Sequence, residues 1–301
     1  MINQLRHYLG LIRFSHTLFA LPFALLSYAM ALKLNCADSI PFRQLDLIGI
    51  LLCMVFARSA AMGFNRFADR DIDAENPRTA RRHLPLGIVS VGGVLGFIAV
   101  CSVGFVLSTL LFLPNRIPII ASVPVLLFLF GYSYTKRWTV GAHFWLGMSL
   151  MLAPVAAWFA IRPELTPFPL VPFILGLAVL FWTAGFDIIY AAQDTEFDKQ
   201  KGLFSVPGRY GIRTAFRVSS MSHFLTIVCF AAVSFLYPPF GTVFRVGVCL
   251  AACLLIAEHW VAKPKPGHDI DLDKINVAFF QMNVVLSVGL LIIALIDITL
   301  N

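Results

Sequence analysis

The sequence predicts an all-α, polytopic membrane protein, a bundle of nine transmembrane helices. Three observations lead there. Only 13% of the 301 residues are charged and 59% are hydrophobic, against about 25% charged in an average soluble domain; mean hydropathy is +0.82. Nine apolar stretches, at roughly 14–34, 45–64, 88–112, 118–134, 141–160, 170–190, 218–236, 242–262 and 277–299, approach the about 20 residues that cross a ~30 Å hydrocarbon core. Lysine and arginine are also unevenly shared between the two sides those stretches define. Disorder is excluded by the amount of apolar surface. An ordinary soluble enzyme is excluded by the shortage of polar side chains to cover its outside.

The first stretch follows a segment, residues 1–13, that is too polar for a cleaved signal peptide and has no small-residue cleavage site after it, so it is read as a retained helix. The second runs into a long polar segment, 65–87. The third and fourth are joined by a short link containing Arg116. Pro22, Pro124 and Pro154 fall inside the first, fourth and fifth stretches, as membrane helices tolerate where neighbouring groups satisfy the freed carbonyl. The sixth leads into a second long polar segment, 191–217, and most other connections are short. With the N-terminus cytoplasmic, 17 of the 23 basic residues lie on the inside and five outside, with Arg58 within a span. That is a strong positive-inside bias and fits an odd number of spans. The net charge of +7 is therefore read as loop bias, with no nucleic acid as partner. Cys53, Cys101, Cys229, Cys249 and Cys253 lie in apolar runs without metal-ligand spacing and read as small buried hydrophobes.

The two long inside segments resemble each other. One reads Asp69-Arg-Asp-Ile-Asp73, basic residues, then Leu84-Pro85-Leu86-Gly87. The other reads Asp194-Thr-Glu-Phe-Asp198, basic residues, then Val206-Pro207-Gly208. This pattern suggests a degenerate internal repeat.

Each segment opens with an acidic cluster at a helix end. Continued helical geometry places Arg58, Asn65, Asp69 and Asp73 within an arc of about 80°, and Asp187, Asp194 and Asp198 within about 40°, with Tyr190 on the same side. Asp71 and Glu196 point away and read as solvated charges. Like charges four residues apart repel, and a helix C-terminus disfavours carboxylates. Asp187 falls at hydrocarbon depth, where an ionisable group marks function. A bound cation relieves this repulsion. Oxygen ligands without His or Cys select a hard ion such as Mg²⁺, which usually shares its shell with phosphate. Lys136 and Arg137, after Tyr132 at the end of the fourth helix, are candidate phosphate clamps, with Tyr132 one turn above Lys136. Arg13 and His16 sit at similar depth at the start of the first helix.

These residues resemble the UbiA superfamily of intramembrane prenyltransferases, most closely the 4-hydroxybenzoate polyprenyltransferases and their menaquinone-pathway relatives. Asn65-Arg66-Phe67-Ala68-Asp69-Arg70-Asp71-Ile72-Asp73 is similar to the family's N-D-x-x-D-x-x-x-D motif. Asp187-Ile-Ile-Tyr190-Ala-Ala-Gln193-Asp194-Thr-Glu-Phe-Asp198 is similar to its D-x-x-Y-A-x-x-D-x-x-x-D motif. The segments Tyr132 to Arg137 and Arg13 to His16, and the nine-span layout, match as well. Residues 1–301 are accordingly read as a single membrane domain. One departure is Arg66, where many members have Asp; lying about 100° round the helix from Asn65, it is expected to face away from the metals.

The resemblance implies Mg²⁺ held by Asp69, Asp73, Asp194 and Asp198, binding the diphosphate of a polyprenyl donor. Four carboxylates and a diphosphate of about −3, set against two Mg²⁺, leave a residual of about −3 that calls for cations such as Lys136 and Arg13. Lys136, Asp187 and Tyr190 are the expected catalytic residues. Arg13, Arg58, Asn65 and Tyr132 are the expected substrate-binding ones. The expected partners are the lipid bilayer, a polyprenyl diphosphate and an aromatic acid: 4-hydroxybenzoate first, 1,4-dihydroxy-6-naphthoate second. A carboxylated acceptor is expected because a buried Arg58 needs an anion, either the substrate's carboxylate or Asp187. The expected location is a bacterial inner membrane with the site facing the cytoplasm. A secondary transporter is the alternative from another class, but its sites lie near the midplane on broken helices. The D-G-x-x-A-R signature of phosphatidyltransferases is absent.

Overall fold

The computed structural model describes residues 7–8, 10–12, 17–164, 168, 170–263 and 272–301, and every regular element among them is helical. In chain order these are α1 (Thr17–Ala37), α2 (Gln44–Ala68), α3 (Arg70–Glu75), α4 (Val91–Thr109), α5 (Ile117–Thr135), α6 (Ala142–Ile161), α7 (Val171–Ala191), α8 (Thr195–Lys201), α9 (Val206–Leu236), α10 (Thr242–Ala262), α11 (Leu272–Asn276) and α12 (Asn283–Leu300). A 3₁₀ turn, Leu110–Phe112, extends α4, another, Ala192–Asp194, joins α7 to α8, and a π-helical segment, Val277–Met282, joins α11 to α12. Among the described residues nine helical spans are long and apolar enough to cross a membrane, as expected.

The expected boundaries hold within a few residues except around the two polar segments, the first of which contains α3. Residues 191–217 were expected as a long loop, but helix continues to Lys201 and resumes at Val206, with Gly202 to Ser205 as the connection. The polar composition of this stretch reflects a helical surface away from the apolar span. Ser205 accepts a hydrogen bond from the Gly208 N–H and so caps α9. The helix then kinks at Gly211, whose φ of 78° and ψ of 163° suit only a residue without Cβ.

The chain divides into two compact units, Met1–Thr17 with Arg43–Tyr134, and Leu18–Phe42 with Thr135–Asn301. In the first, α2 packs along α4, around Ala60, Cys101, Phe105 and Leu126. A second cluster, Leu11, Leu84, Val89, Val94 and Ile98, ties the N-terminal piece and the loop before α4 to α4 itself. The polar segment that carries the first acidic motif is therefore anchored by apolar contacts.

In the second unit α7 packs against both α6 and α9. Its core is aromatic: Phe19, Phe23, Trp158, Trp182, Phe186, Phe230 and Tyr237 are all buried. Arg162 after α6 reaches Asp38 at 2.6 Å and Asn35 at 3.1 Å, fastening α6 to α1. Large apolar side chains remain outside on the spans, such as Val100 at 67%, Phe235 at 70% and Trp260 at 83% exposure. In water such a surface would aggregate; in lipid it is at home.

Candidate active site

Both acidic motifs are built the same way. Helix α2 ends at Ala68, and Asp69, with φ −95° and ψ 6°, stands between α2 and α3. Asp194, with φ −103° and ψ 9°, stands before α8 in the same conformation. This bridge region is sparsely populated and frequent at functional sites. In each case a short helix follows whose fourth-next acid, Asp73 or Asp198, is buried. The repeat suggested by the sequence is thus a repeat of local structure. Because the helix breaks at Asp69 and Asp194, helical arithmetic does not carry unbroken through either cluster.

In the first unit the Asn65 side-chain amide donates to Asp69 Oδ2 at 2.9 Å, so these two residues share a face as expected. Asp73 is held by Arg82, whose Nη1 lies 2.6 Å from both carboxylate oxygens. Arg66 does not face away as the helical wheel implied. It is buried, its Nη1 lies 3.8 Å from Asp73, and its Nε donates to the Leu11 carbonyl. The physical reason is the break at Asp69, after which α3 turns Asp73 towards the Arg66 side chain. Burial, His7 and Arg66 together hold the His83 imidazole in the adjoining loop below its ordinary pKa. Asp71 is exposed and pairs only loosely with Arg70, at 3.5 Å.

Arg58 lies deeper on α2, and its Nε is buried without a hydrogen-bond partner. That unmet donor keeps it a candidate anion ligand. Tyr132 is half-buried near the end of α5. The helix ends at Thr135, immediately before Lys136. Arg13 and His16 lie outside the described residues.

In the second unit Asp194 and Asp198 are buried, at 8% and 3% exposure. Lys136 and Asp194 act electrostatically on Asp198, and the Ser205 hydroxyl lies against it. A Cβ added at Gly208 would come 3.1 Å from the Asp198 Cβ and 2.8 Å from the Ser205 hydroxyl, so only glycine lets the start of α9 approach this carboxylate. Asp198 Oδ2 is nevertheless buried without a hydrogen-bond partner. Lys136 is positioned through its backbone, its carbonyl accepting from Phe204 N–H at 2.7 Å. Glu196 is exposed and pairs with Lys199 at 2.9 Å, as expected of a solvated charge.

Asp187 was expected either to pair with Arg58 or to serve the chemistry. Its side-chain partner is His143, with Nδ1 2.7 Å from Oδ2. Tyr190, one turn further along α7, stacks its ring on Phe279 with centroids 4.0 Å apart. His143 and Arg82 escaped the sequence reading. His143 sits in an apolar run with no motif spacing. Arg82 was counted only as a basic loop residue, although its place nine residues after Asp73 was available.

In the second unit the buried carboxylates of Asp194 and Asp198, with one Asp198 oxygen unmet, suit a hard divalent ion. Among the described residues no three His, Cys, Asp or Glu side chains cluster closely enough to hold a metal ion. Mg²⁺ needs no such cage, because it usually takes one or two carboxylates and completes its shell with water and substrate phosphates.

The model of the UbiA prenyltransferase family matches residues 18–285. A 4-hydroxybenzoate octaprenyltransferase of Photobacterium profundum is 34% identical over 176 residues, 58% of this chain and 59% of that relative. The chain thus spans under two thirds of that relative. The corresponding Aliivibrio fischeri protein is 30% identical over 233 residues, 75% of this chain and 76% of the relative. Among solved structures, the apo structure of a UbiA homologue from Aeropyrum pernix superposes with a TM-score of 0.77 at 30% identity, covering 95% of this chain and 97% of that one. A homologue from Archaeoglobus fulgidus bound to GPP and Mg²⁺ shares the fold, with a TM-score of 0.71 at 20% identity, covering 97% and 99%.

Proposed function

This chain belongs to the UbiA prenyltransferase family, and we propose that it transfers a polyprenyl group from polyprenyl diphosphate to a hydroxy-aromatic acid, 4-hydroxybenzoate, in quinone biosynthesis. The observation that carries this reading is the pair of acidic motifs, each breaking its helix at an aspartate and burying a second one. Relatives at 30–36% identity named as 4-hydroxybenzoate octaprenyltransferases support the choice of acceptor.

Asp69, Asp73, Asp194 and Asp198 are the proposed ligands of Mg²⁺, the unmet Asp198 oxygen being the most direct support. When bound, the ion offsets the charge that grows on the leaving diphosphate. Lys136 binds that diphosphate and stabilises its developing charge, and Asn65 orients Asp69 through their hydrogen bond. Arg13 and Tyr132 complete the donor-binding set. Arg58 binds the acceptor's carboxylate, an assignment supported by its buried, unpartnered Nε. The donor's C–O bond breaks with its electron pair leaving on diphosphate, and a ring carbon of the acceptor bonds the prenyl carbon. The acceptor then loses one proton, which Asp187 takes, with Tyr190 beside it on α7. The family match runs through both compact units, which supports reading residues 1–301 as one functional domain. The excess of basic residues on one side supports a bacterial inner-membrane location with the motifs on the cytoplasmic side.

Acceptor profiling tests the reading. Purified protein with Mg²⁺ and a polyprenyl diphosphate is offered 4-hydroxybenzoate, 1,4-dihydroxy-6-naphthoate and non-aromatic anions, and products are identified by mass spectrometry. Prenylated 4-hydroxybenzoate as the main product is expected. A preference for the naphthoate would move the protein to menaquinone synthesis.

A further inference from the structure

His143 is the second residue of α6 and is wholly buried, yet both its ring nitrogens have polar partners on other helices. Nδ1 lies 2.7 Å from Asp187 Oδ2 on α7. Nε2 lies 3.3 Å from the backbone N of Val206, the first residue of α9. A peptide N–H can only donate, so Nε2 must present its lone pair. The proton of the neutral ring then sits on Nδ1 and is donated to Asp187, a tautomer assigned from the bond network. The Val206 N–H is one of the donors a helix start leaves without an intrahelical partner. That obligatory donor therefore fixes which end of the imidazole meets the carboxylate.

The ring is packed in place as well. Phe144, next to it on α6, borders a small apolar cluster of Ile188, Val206 and Ala215, and Ile188 adjoins Asp187 in sequence. Oδ2 of Asp187 is thus held by a donor that carries no net charge in this tautomer. An arginine or lysine in the same place would orient the carboxylate but neutralise it. A neutral imidazole orients it without neutralising it. The Asp187 side chain is 14% exposed, so its contact with His143 does not seal it off completely.

We infer that His143 is a positioning residue for prenyl transfer: its Nδ1–H fixes the rotamer of Asp187 so that Oδ1 is presented to the proton the acceptor loses. This rests on the proposed role of Asp187. The proton balance is unchanged by His143, which keeps its own proton on Nδ1 throughout, while Asp187 gains the one released as the ring carbon is alkylated.

Three variants of the full-length protein in detergent test this: His143→Leu, His143→Asn and Asp187→Asn, together with the Leu/Asn double variant. Asparagine places its Nδ2 where the imidazole has Nδ1, so it keeps the bond to Asp187 and loses only the one to Val206. His143→Leu is expected to lower kcat about 10- to 100-fold, the usual cost of removing an orienting partner, with donor KM unchanged. His143→Asn is expected to stay within about threefold of wild type. The double variant is expected to be no slower than Asp187→Asn alone, because a residue acting through another adds nothing once that other is gone. A His143→Leu protein with wild-type kcat, or losses that multiply in the double variant, would overturn the inference. If the leucine variant does not fold, His143→Asn decides, since a loss as large as that of Asp187→Asn overturns the inference equally. If Asp187→Asn itself keeps wild-type kcat, the proposed role of Asp187 fails and the inference with it, an outcome distinct from failure at His143 alone.

Discussion

Arg82 Nη1 lies 2.6 Å from both oxygens of Asp73, so the buried acid of the first motif already has a cation of the protein's own. Asp198, its counterpart in the second motif, has an oxygen with no hydrogen-bond partner. The two motifs share a backbone design but differ in how their buried carboxylates are balanced.

Removing Arg82 leaves Asp73 buried, with Arg66 more distant at 3.8 Å. Arg82→Ala should destabilise metal-free protein by about 1–3 kcal/mol, the cost of losing a hydrogen-bonded partner to a buried charge. If Asp73 also binds Mg²⁺, the divalent ion restores much of that loss. Thermal melts of both proteins in EDTA and in excess Mg²⁺ measure this. An equal deficit in both conditions would remove Asp73 from the metal ligands.

Asp69 and Asp194, at the helix breaks, should behave oppositely to the exposed acids Asp71 and Glu196. Asp69→Ala and Asp194→Ala should each lower kcat by at least about 100-fold while the protein still inserts and purifies normally. Asp71→Ala and Glu196→Ala should stay within about threefold of wild type, because their side chains are 80% and 77% exposed and surface substitutions cost little. Steady-state rates of all four variants decide it, and an Asp71→Ala protein as inactive as Asp69→Ala would contradict this division of labour.

Lys136 is placed by its backbone bond to Phe204 and lies within electrostatic reach of Asp198. Lys136→Ala should raise the donor KM and lower kcat, together by about 10- to 1000-fold in kcat/KM, with acceptor KM nearly unchanged. Unaltered donor kinetics would return this lysine to a purely topological role.

Much of this was legible in the sequence, and the remainder failed for identifiable reasons. Span count follows from apolar length alone, which is why nine were found with boundaries mostly within a few residues. The acidic motifs were legible because four aspartates at helix ends contradict dipole and like-charge rules. Arg66 was misplaced because a helical wheel assumes one unbroken helix, and the chain breaks at Asp69. The second polar segment was misread as loop because hydropathy reports apolar content rather than helicity, and α8 and the start of α9 are helical despite their polar sequence. His143 was invisible because its partners, Asp187 and Val206, lie 44 and 63 residues away, and no local pattern encodes a contact of that range.

Arg58 carries the acceptor specificity in this account. Its buried, unpartnered Nε makes a carboxylate ligand favourable, and a bidentate contact would orient the ring. Arg58→Met should raise the KM for 4-hydroxybenzoate about 10- to 100-fold, equivalent to about 1.4–2.7 kcal/mol, and leave donor KM unchanged. Phenol, which lacks the carboxylate, should be a poor acceptor for the wild type. Equal use of phenol and 4-hydroxybenzoate would exclude the arginine–carboxylate contact.

The central claim is metal-dependent carbon–carbon bond formation between a polyprenyl group and the ring of 4-hydroxybenzoate. The most direct measurement follows diphosphate release and ring-prenylated product together, with purified protein, polyprenyl diphosphate and 4-hydroxybenzoate. One diphosphate is expected per prenylated ring, with turnover abolished by EDTA, restored by Mg²⁺ and absent in Asp194→Ala. Turnover that persists in EDTA, or diphosphate released without any prenylated ring, would contradict it.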